Sequence, residues 1–455
     1  MTTATLAATA TPPGPSPRLA WPRLFAFNRD PIGFTMAMAR TYGDVAAYQL
    51  GPQPFALLSN PEDIRDVLVT NNRNFVKGVG LARAKRLLGE GLLTSEGDFW
   101  RRQRRLAQPA FHRQRIAGYA NTMVAYAERH ASRWQPGDTR DIAEEMMALT
   151  LAIVGKTLFD SDVEGEASEV GAALNDAIAL FSDSNRLLMI LAEQVGIQQN
   201  ARLAQTRNRL DAIIYRMIDE HRASGDDRGD LLSMLLQAHD AEGDGSGMTD
   251  QQVRDEALTI FLAGHETTAN ALTWTFYLLS QNPTVAQQLY AELDAVLGKR
   301  LPTMDDLPQL HYTDMVIHES MRLYPPAWII GRRALNDFTA GGYRIPANTT
   351  VLMSQWQVQH DPRFFPDPYR FDPLRWLPEA RSRRHKYSYF PFGGGPRQCI
   401  GEQFALMEMV LVLATLARRW RLHLVPGHPV TLQPSITLRP KHGMRMRLER
   451  RHSHG

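Results

Sequence analysis

The chain has 455 residues, 44% of them apolar, enough for one large core or several smaller ones. Its 51 basic and 48 acidic residues leave a net charge of +3, too near neutral to point to nucleic acid. A single cysteine excludes an internal disulfide framework and fits a reducing compartment. The opening "MTTATLAATATPPGPSPRL" lacks the basic start of a signal peptide, and no run of about 20 apolar residues offers a membrane anchor. Residues 1–20 are expected to be a disordered, Pro-rich tail and 21–455 a single domain of a soluble, cytoplasmic protein.

Two strands are expected across Val45–Asn60, joined at Gly51-Pro52. Helical periodicity then dominates, near 60–70, 97–107, 113–134, 141–159, 168–182, 201–224 and 229–239. Thr249 with Gln252 forms a capping box that opens a helix running to Gln281, where Asn282-Pro283 stops it. At 1.5 Å per residue that helix is roughly 48 Å long. Its middle, "ALTIFLAGHETTANALTW", is apolar on nearly all sides and should be buried. Helices follow near 284–297 and 312–323, short strands over 331–355, a last helix just after Cys399, and strands near 420–450. The fold class is mainly α with minor β.

The lone cysteine sits in "PFGGGPRQCIGEQFALMEM". Gly393, Gly394 and Gly395 permit a loop that approaches a flat ligand closely. A helix starting near Ile400 or Gly401 puts Cys399 at its positive end, which favours a thiolate. Such a sulfur suits an axial ligand on haem iron. Taken alone, the cysteine reads first as an ordinary buried small residue, with an activated nucleophile as a second alternative.

The flanks narrow this. Phe392-Gly393-Gly394-Gly395-Pro396-Arg397-Gln398-Cys399-Ile400-Gly401 resembles the haem-binding signature of the cytochrome P450 family at each defining position. The resemblance implies haem b with Cys399 as iron ligand, Phe392 beside the sulfur and Arg397 on a propionate. "HESMR" and "FDPLRW" supply Glu319, Arg322 and Arg375, similar to the family's buried ion-pair cluster, a structural feature. "AGHETT" (Ala263–Thr268) is similar to the family's oxygen-side motif. That resemblance implies that Ala263 and Gly264 would lie over the haem, that Gly264 and the hydroxyls would open the helix locally, and that Glu266 and Thr267 would deliver protons. Trp100 and Arg104 in "FWRRQRR" resemble propionate contacts, as does Arg333 in "GRRALND". Two other patterns fail: a phosphate loop lacks its first glycine at Thr150, and a zinc motif lacks a histidine at Ala269.

The resemblance spans about residues 20–450. It implies a monooxygenase that inserts one atom of O2 into a C–H or C=C bond of a hydrophobic small molecule. Electrons are expected from an external ferredoxin or flavodoxin and its reductase, with Arg101 to Arg105 helping an acidic partner to dock. Pocket walls are expected at Ala263, Thr267, Ala327, Trp328, Ile329 and Ile436, roofed by 78–93 and 180–191. The hairpin "GPQPFALLSN" offers no arginine or tyrosine for a carboxylate, so a terpenoid or steroid is as plausible as a fatty acid. A peroxide-driven peroxygenase or isomerase, and a haem-thiolate gas sensor, are the alternatives. The acid–alcohol pair argues against the sensor.

Overall fold

The computed structural model describes residues 10–16, 20–161, 200–225, 228–240 and 245–451. The helix expected over 168–182 and the roof segment 180–191 lie outside the described residues. In chain order the helices are α1 (Ala20–Arg29), α2 (Pro31–Tyr42), α3 (Pro61–Arg65), α4 (Val79–Leu88), α5 (Gly97–Ala107), α6 (Arg113–Ala131) and α7 (Ile142–Phe159). They continue as α8 (Asn200–Ser224), α9 (Leu231–Gln237), α10 (Asp250–Gln281), α11 (Pro283–Leu297), α12 (His311–Leu323), α13 (Gln355–Gln359), α14 (Pro378–Ser382) and α15 (Glu402–Arg419). Strands β1 (Val45–Leu50), β2 (Gln53–Leu58), β3 (Phe75–Lys77) and β4 (Thr139–Asp141) precede β5 (Ile330–Ala334), β6 (Phe338–Ala340), β7 (Tyr343–Ile345) and β8 (Thr350–Met353). The chain closes with β9 (Trp420–Leu424), β10 (Leu432–Pro434), β11 (Leu438–Pro440) and β12 (Arg445–Arg450).

The described chain forms two compact units, each assembled from distant segments. The first comprises residues 1–83, 327–370 and 379–399. Its sheet has the order β1-β2-β8-β5-β3. The β1–β2 hairpin pairs Val45 with Leu58, and β2 runs parallel to β8. Gly51, at φ 60°, makes the turn. Ala56, Leu58, Val351, Met353 and Phe390 are among the side chains of its buried core. The expected helix at 60–70 changes type at its middle. After α3, Asp66–Thr70 is a π turn, with the Asn71 amide donating to Asp66 O at 2.8 Å. The Asn71 side-chain amide donates to the Asp66 carboxylate, also at 2.8 Å, and supports the wider turn.

The second unit comprises residues 84–326, 371–378 and 400–455. Its axis is α10, opened by the Thr249–Gln252 capping box and buried over most of its 32 residues. Helix α7 lies along it. There Thr150 Oγ1 donates to His265 O at 2.9 Å. Trp274 of α10 stacks on Tyr324 with ring centres 4.3 Å apart. Strands β4, β12 and β9 form one small sheet, and β10 and β11 form a separate hairpin.

Candidate active site

In the first unit the cysteine loop is shaped by contacts that exclude side chains. Gly395 has φ 68°, and a Cβ there would fall 1.9 Å from Leu68 O. Neither the conformation nor the space admits another residue. The Cys399 amide donates to Phe392 O at 3.0 Å, which closes the loop. Cys399 is exposed; Phe392 and Arg397 are half-buried. Helix α15 begins at Glu402 with Gly401 as its cap, so Cys399 precedes the cap by two residues instead of sitting in the first turn. The dipole acts on the sulfur less directly than the sequence suggested, because the effect falls off within a turn.

Strand β5 runs beside this loop, with Ile330 Cδ1 3.5 Å from where a Gly393 Cβ would lie. Side chains alternate along a strand, so Arg332 shares the face of Ile330 and Arg333 takes the opposite one. Arg333 is exposed and Arg332 half-buried. Of the two adjacent arginines, the sequence reading singled out Arg333, whereas Arg332 shares the face of Ile330. Trp328 is buried, its carbonyl accepting from Ser354 Oγ at 3.1 Å and from the Trp356 amide at 3.2 Å. Ala327 and Ile329 are half-buried.

In the second unit, α10 is interrupted in its burial but not in its helix. Ala263 is exposed and Gly264 and Thr267 half-buried, between stretches that are closed. The helical pattern continues through this turn, contrary to the expected local opening. Thr267 Oγ1 donates to Ala263 O at 2.9 Å and Thr268 Oγ1 to Gly264 O at 3.2 Å, reinforcing the turn. Gly264 also packs closely on α7: a Cβ there would lie 3.2 Å from Val154 Cγ2. Buried His265 bonds Phe261 O through Nδ1 at 3.0 Å, and burial pushes its pKa down.

Glu266 is buried and turned to the β10–β11 hairpin. Its Oε1 accepts from Thr437 Oγ1 and, at 2.7 Å, from Arg439 Nε. Arg439 Nη2 is 2.6 Å from the same oxygen. Sequence reasoning missed both hairpin partners, since 171 and 173 residues separate them from the acid. It also missed Glu408 of α15, which burial pushes well above the ordinary glutamate range, the Thr268 hydroxyl only partly opposing this.

Glu319, Arg322 and Arg375 are brought together. Arg322 grips Glu319 through two bonds, Nε–Oε2 at 2.9 Å and Nη2–Oε1 at 2.8 Å. Arg375 Nε lies 3.4 Å from Oε1, and Trp376 Nε1 donates to Oε2 at 2.9 Å. Trp100 is buried and Arg104 half-buried on α5, where Arg104 Nε donates to Gln108 Oε1 at 3.0 Å. Ile436, between β10 and β11, is 40% exposed.

The docking role given to Arg102 and Arg105 does not fit their contacts. Arg102 Nη2 donates to Ser246 O at 2.9 Å and Gly247 O at 2.8 Å, and Arg105 Nη2 to buried Asp240 at 3.0 Å. These bonds anchor the segment before α10, while Arg105 itself stays exposed.

A loop presenting one thiol with an arginine two residues before it offers the donors haem needs. The open turn at Ala263–Thr267 is free of charge on its exposed positions. Comparison with known proteins agrees. The family model described as Cytochrome P450 matches residues 12–445. The chain belongs to the cytochrome P450 family. As a cytochrome P450 it is a haem-thiolate monooxygenase that acts on a hydrophobic small molecule. It is 40% identical over 415 residues to Cyclooctatin synthase of Streptomyces melanosporofaciens, covering 90% of this chain and 89% of that protein. It is 40% identical over 423 residues to Cyclooctat-9-en-7-ol 5-monooxygenase of the same organism, covering 92% and 90%. Pentalenene oxygenase of Streptomyces avermitilis is 36% identical over 413 residues, covering 90% and 89%. Among the described residues no helix is long and apolar enough to cross a membrane.

Proposed function

We propose that this cytochrome P450 hydroxylates a neutral polycyclic terpenoid in the cytoplasm, with electrons from an external ferredoxin or flavodoxin and its reductase. The observation that carries the reading is the uncharged opening of α10 at Ala263, Gly264 and Thr267, together with relatives named for cyclooctatin and pentalenene chemistry. Cys399 would hold the haem iron through its thiolate, with Phe392 packing beside it. Arg397, Trp100, Arg104 and Arg332 would bind the propionates; Arg332 is preferred to Arg333 because it shares the face of Ile330. Bound haem supplies the oxygen chemistry, insertion of one atom of O2 into a C–H bond.

The chain's part is orientation, exclusion of water and control of protons. Thr267 holds its own proton on Ala263 O, which leaves its oxygen lone pairs as acceptors toward the open side. Rotation of that hydroxyl turns it into a donor, with Glu266 as the neighbouring acid. Ile436 would supply apolar wall in the second unit, and Ala327, Trp328 and Ile329 are the apolar positions of the first. Titrating the ferric protein with polycyclic terpene alcohols, steroids and fatty acids tests the substrate class. The Soret band should shift to high spin with the terpenes; a shift with fatty acids alone would overturn it. Replacing Thr267 by Ala should lower product per electron about tenfold or more and release peroxide. Unchanged coupling would remove Thr267 from the proton path.

A further inference from the structure

Glu266 is not free to act. Every hydrogen bond it takes from the described residues arrives on one oxygen, Oε1, from Thr437 and Arg439. Thr437 is itself held by α10, since Asn270 Nδ2 donates to its Oγ1 at 3.1 Å. The strand just beyond is anchored twice. Trp274 Nε1 donates to Leu438 O at 3.0 Å, and the Leu438 amide donates to Pro326 O at 2.9 Å. The hairpin is therefore fixed at Leu438, while its tip, next to Thr437, carries the exposed apolar side chain of Ile436. A large apolar residue at the tip and the residue that grips the acid are adjacent in the chain, so displacing one moves the other.

We propose that Thr437 and Arg439 are positioning residues that hold Glu266 against the β10–β11 hairpin. A bulky apolar ligand pressing on Ile436 loosens the Thr437 part of that hold. Arg439 remains as counter-charge on the anchored strand. The device would keep the acid out of use until the pocket is filled, which rests on Ile436 being pocket wall as proposed above. Thermodynamic reciprocity gives the test its sign. If the ligand weakens the hold, then removing the hold strengthens the ligand.

The probes are clotrimazole, a bulky azole, and imidazole, the same iron-binding ring without the bulk; both are read by the Soret shift of the ferric holoenzyme. Thr437→Val removes the hydroxyl at constant shape. It should tighten clotrimazole about fivefold or more while leaving imidazole unchanged. Arg439→Gln removes a contact that the ligand leaves in place, so it should leave the clotrimazole-to-imidazole ratio unchanged. In an Ile436→Ala background Thr437→Val should no longer matter. Equal clotrimazole-to-imidazole ratios in wild type and Thr437→Val would overturn the inference. Should Arg439→Gln fail to fold, Thr437→Val decides alone. Failure of imidazole to shift the wild-type band would instead strike at the haem reading, so the two failures are distinguishable.

Discussion

Two buried glutamates in the same unit each face arginine, and they are built for opposite purposes. Glu319 is enclosed. Both its oxygens are bonded, Arg322 is fully buried with it, and Trp376 and the Asp372 amide complete its shell. Glu266 is bonded through one oxygen, and its Arg439 keeps 21% of its side chain in solvent. A buried ion pair with every lone pair met is scaffolding, because any departure strands a charge. A pair with one oxygen spare and a counter-ion at the surface can rearrange at lower cost. Position in the chain fits this contrast: Glu319 joins α12 to the segment at Asp372 and Trp376, whereas Glu266 lies beside the open turn of α10 at Ala263–Thr267.

The contrast is sharpened by removing each charge in turn. Glu319→Gln should cost about 3–5 kcal/mol, because it leaves Arg322 buried without its partner. Denaturant unfolding of the haem-loaded protein checks this, and a loss near zero would break the distinction. The anchor on Asp240 should come next. Arg105→Gln leaves that buried carboxylate with Arg102 alone, at 3.4 Å, and should cost about 1–3 kcal/mol by the same measurement. The salt dependence of reduction should stay unchanged, against a docking role. Glu266→Gln keeps an acceptor for Thr437 and should cost only about 1–2 kcal/mol, with its larger effect on coupling of electrons to product.

A third buried pair is tuned by pH. His221 Nε2 lies 2.7 Å from Asp230 Oδ2. Burial alone pushes the His221 pKa down, but the Asp230 carboxylate more than offsets this and the net shift is upward. Burial pushes Asp230 up, and His221 with the Ser233 amide brings it below its ordinary value. The histidine's contribution is full below its unfolded pKa of about 6.5 and is lost as pH rises through the raised folded value. The aspartate's is present above about 3.9 and lost as pH falls through its lowered value. Thermal unfolding of wild type and His221→Gln should therefore differ more at pH 6 than at pH 9. An equal difference at both would show that the pair is not ionised.

Much of this was legible because it is local. Thr249 and Gln252 announce the start of α10, and Asn282-Pro283 its end, since capping and proline act within a turn. The helices at 97–107 and 141–159 were found within a residue, while α1 and α2 were missed although Asp30-Pro31 is itself a start signal. The cysteine loop and the Glu319 cluster were readable through their resemblance to the motifs of the family. Arg439 and Thr437 were not, because no local pattern ties a helix acid to a strand 170 residues on. The packing of Gly264 on Val154 was hidden for a related reason. It depends on a neighbour that sequence periodicity does not name.

The most direct test of the central claim is turnover under isotopically heavy O2, with ferredoxin, its reductase and the terpene that gives the largest Soret shift. A product carrying one heavy oxygen atom, lost in Cys399→Ser, is the predicted result. A product with oxygen from water, or heavy-oxygen product from Cys399→Ser at the wild-type rate, would contradict it.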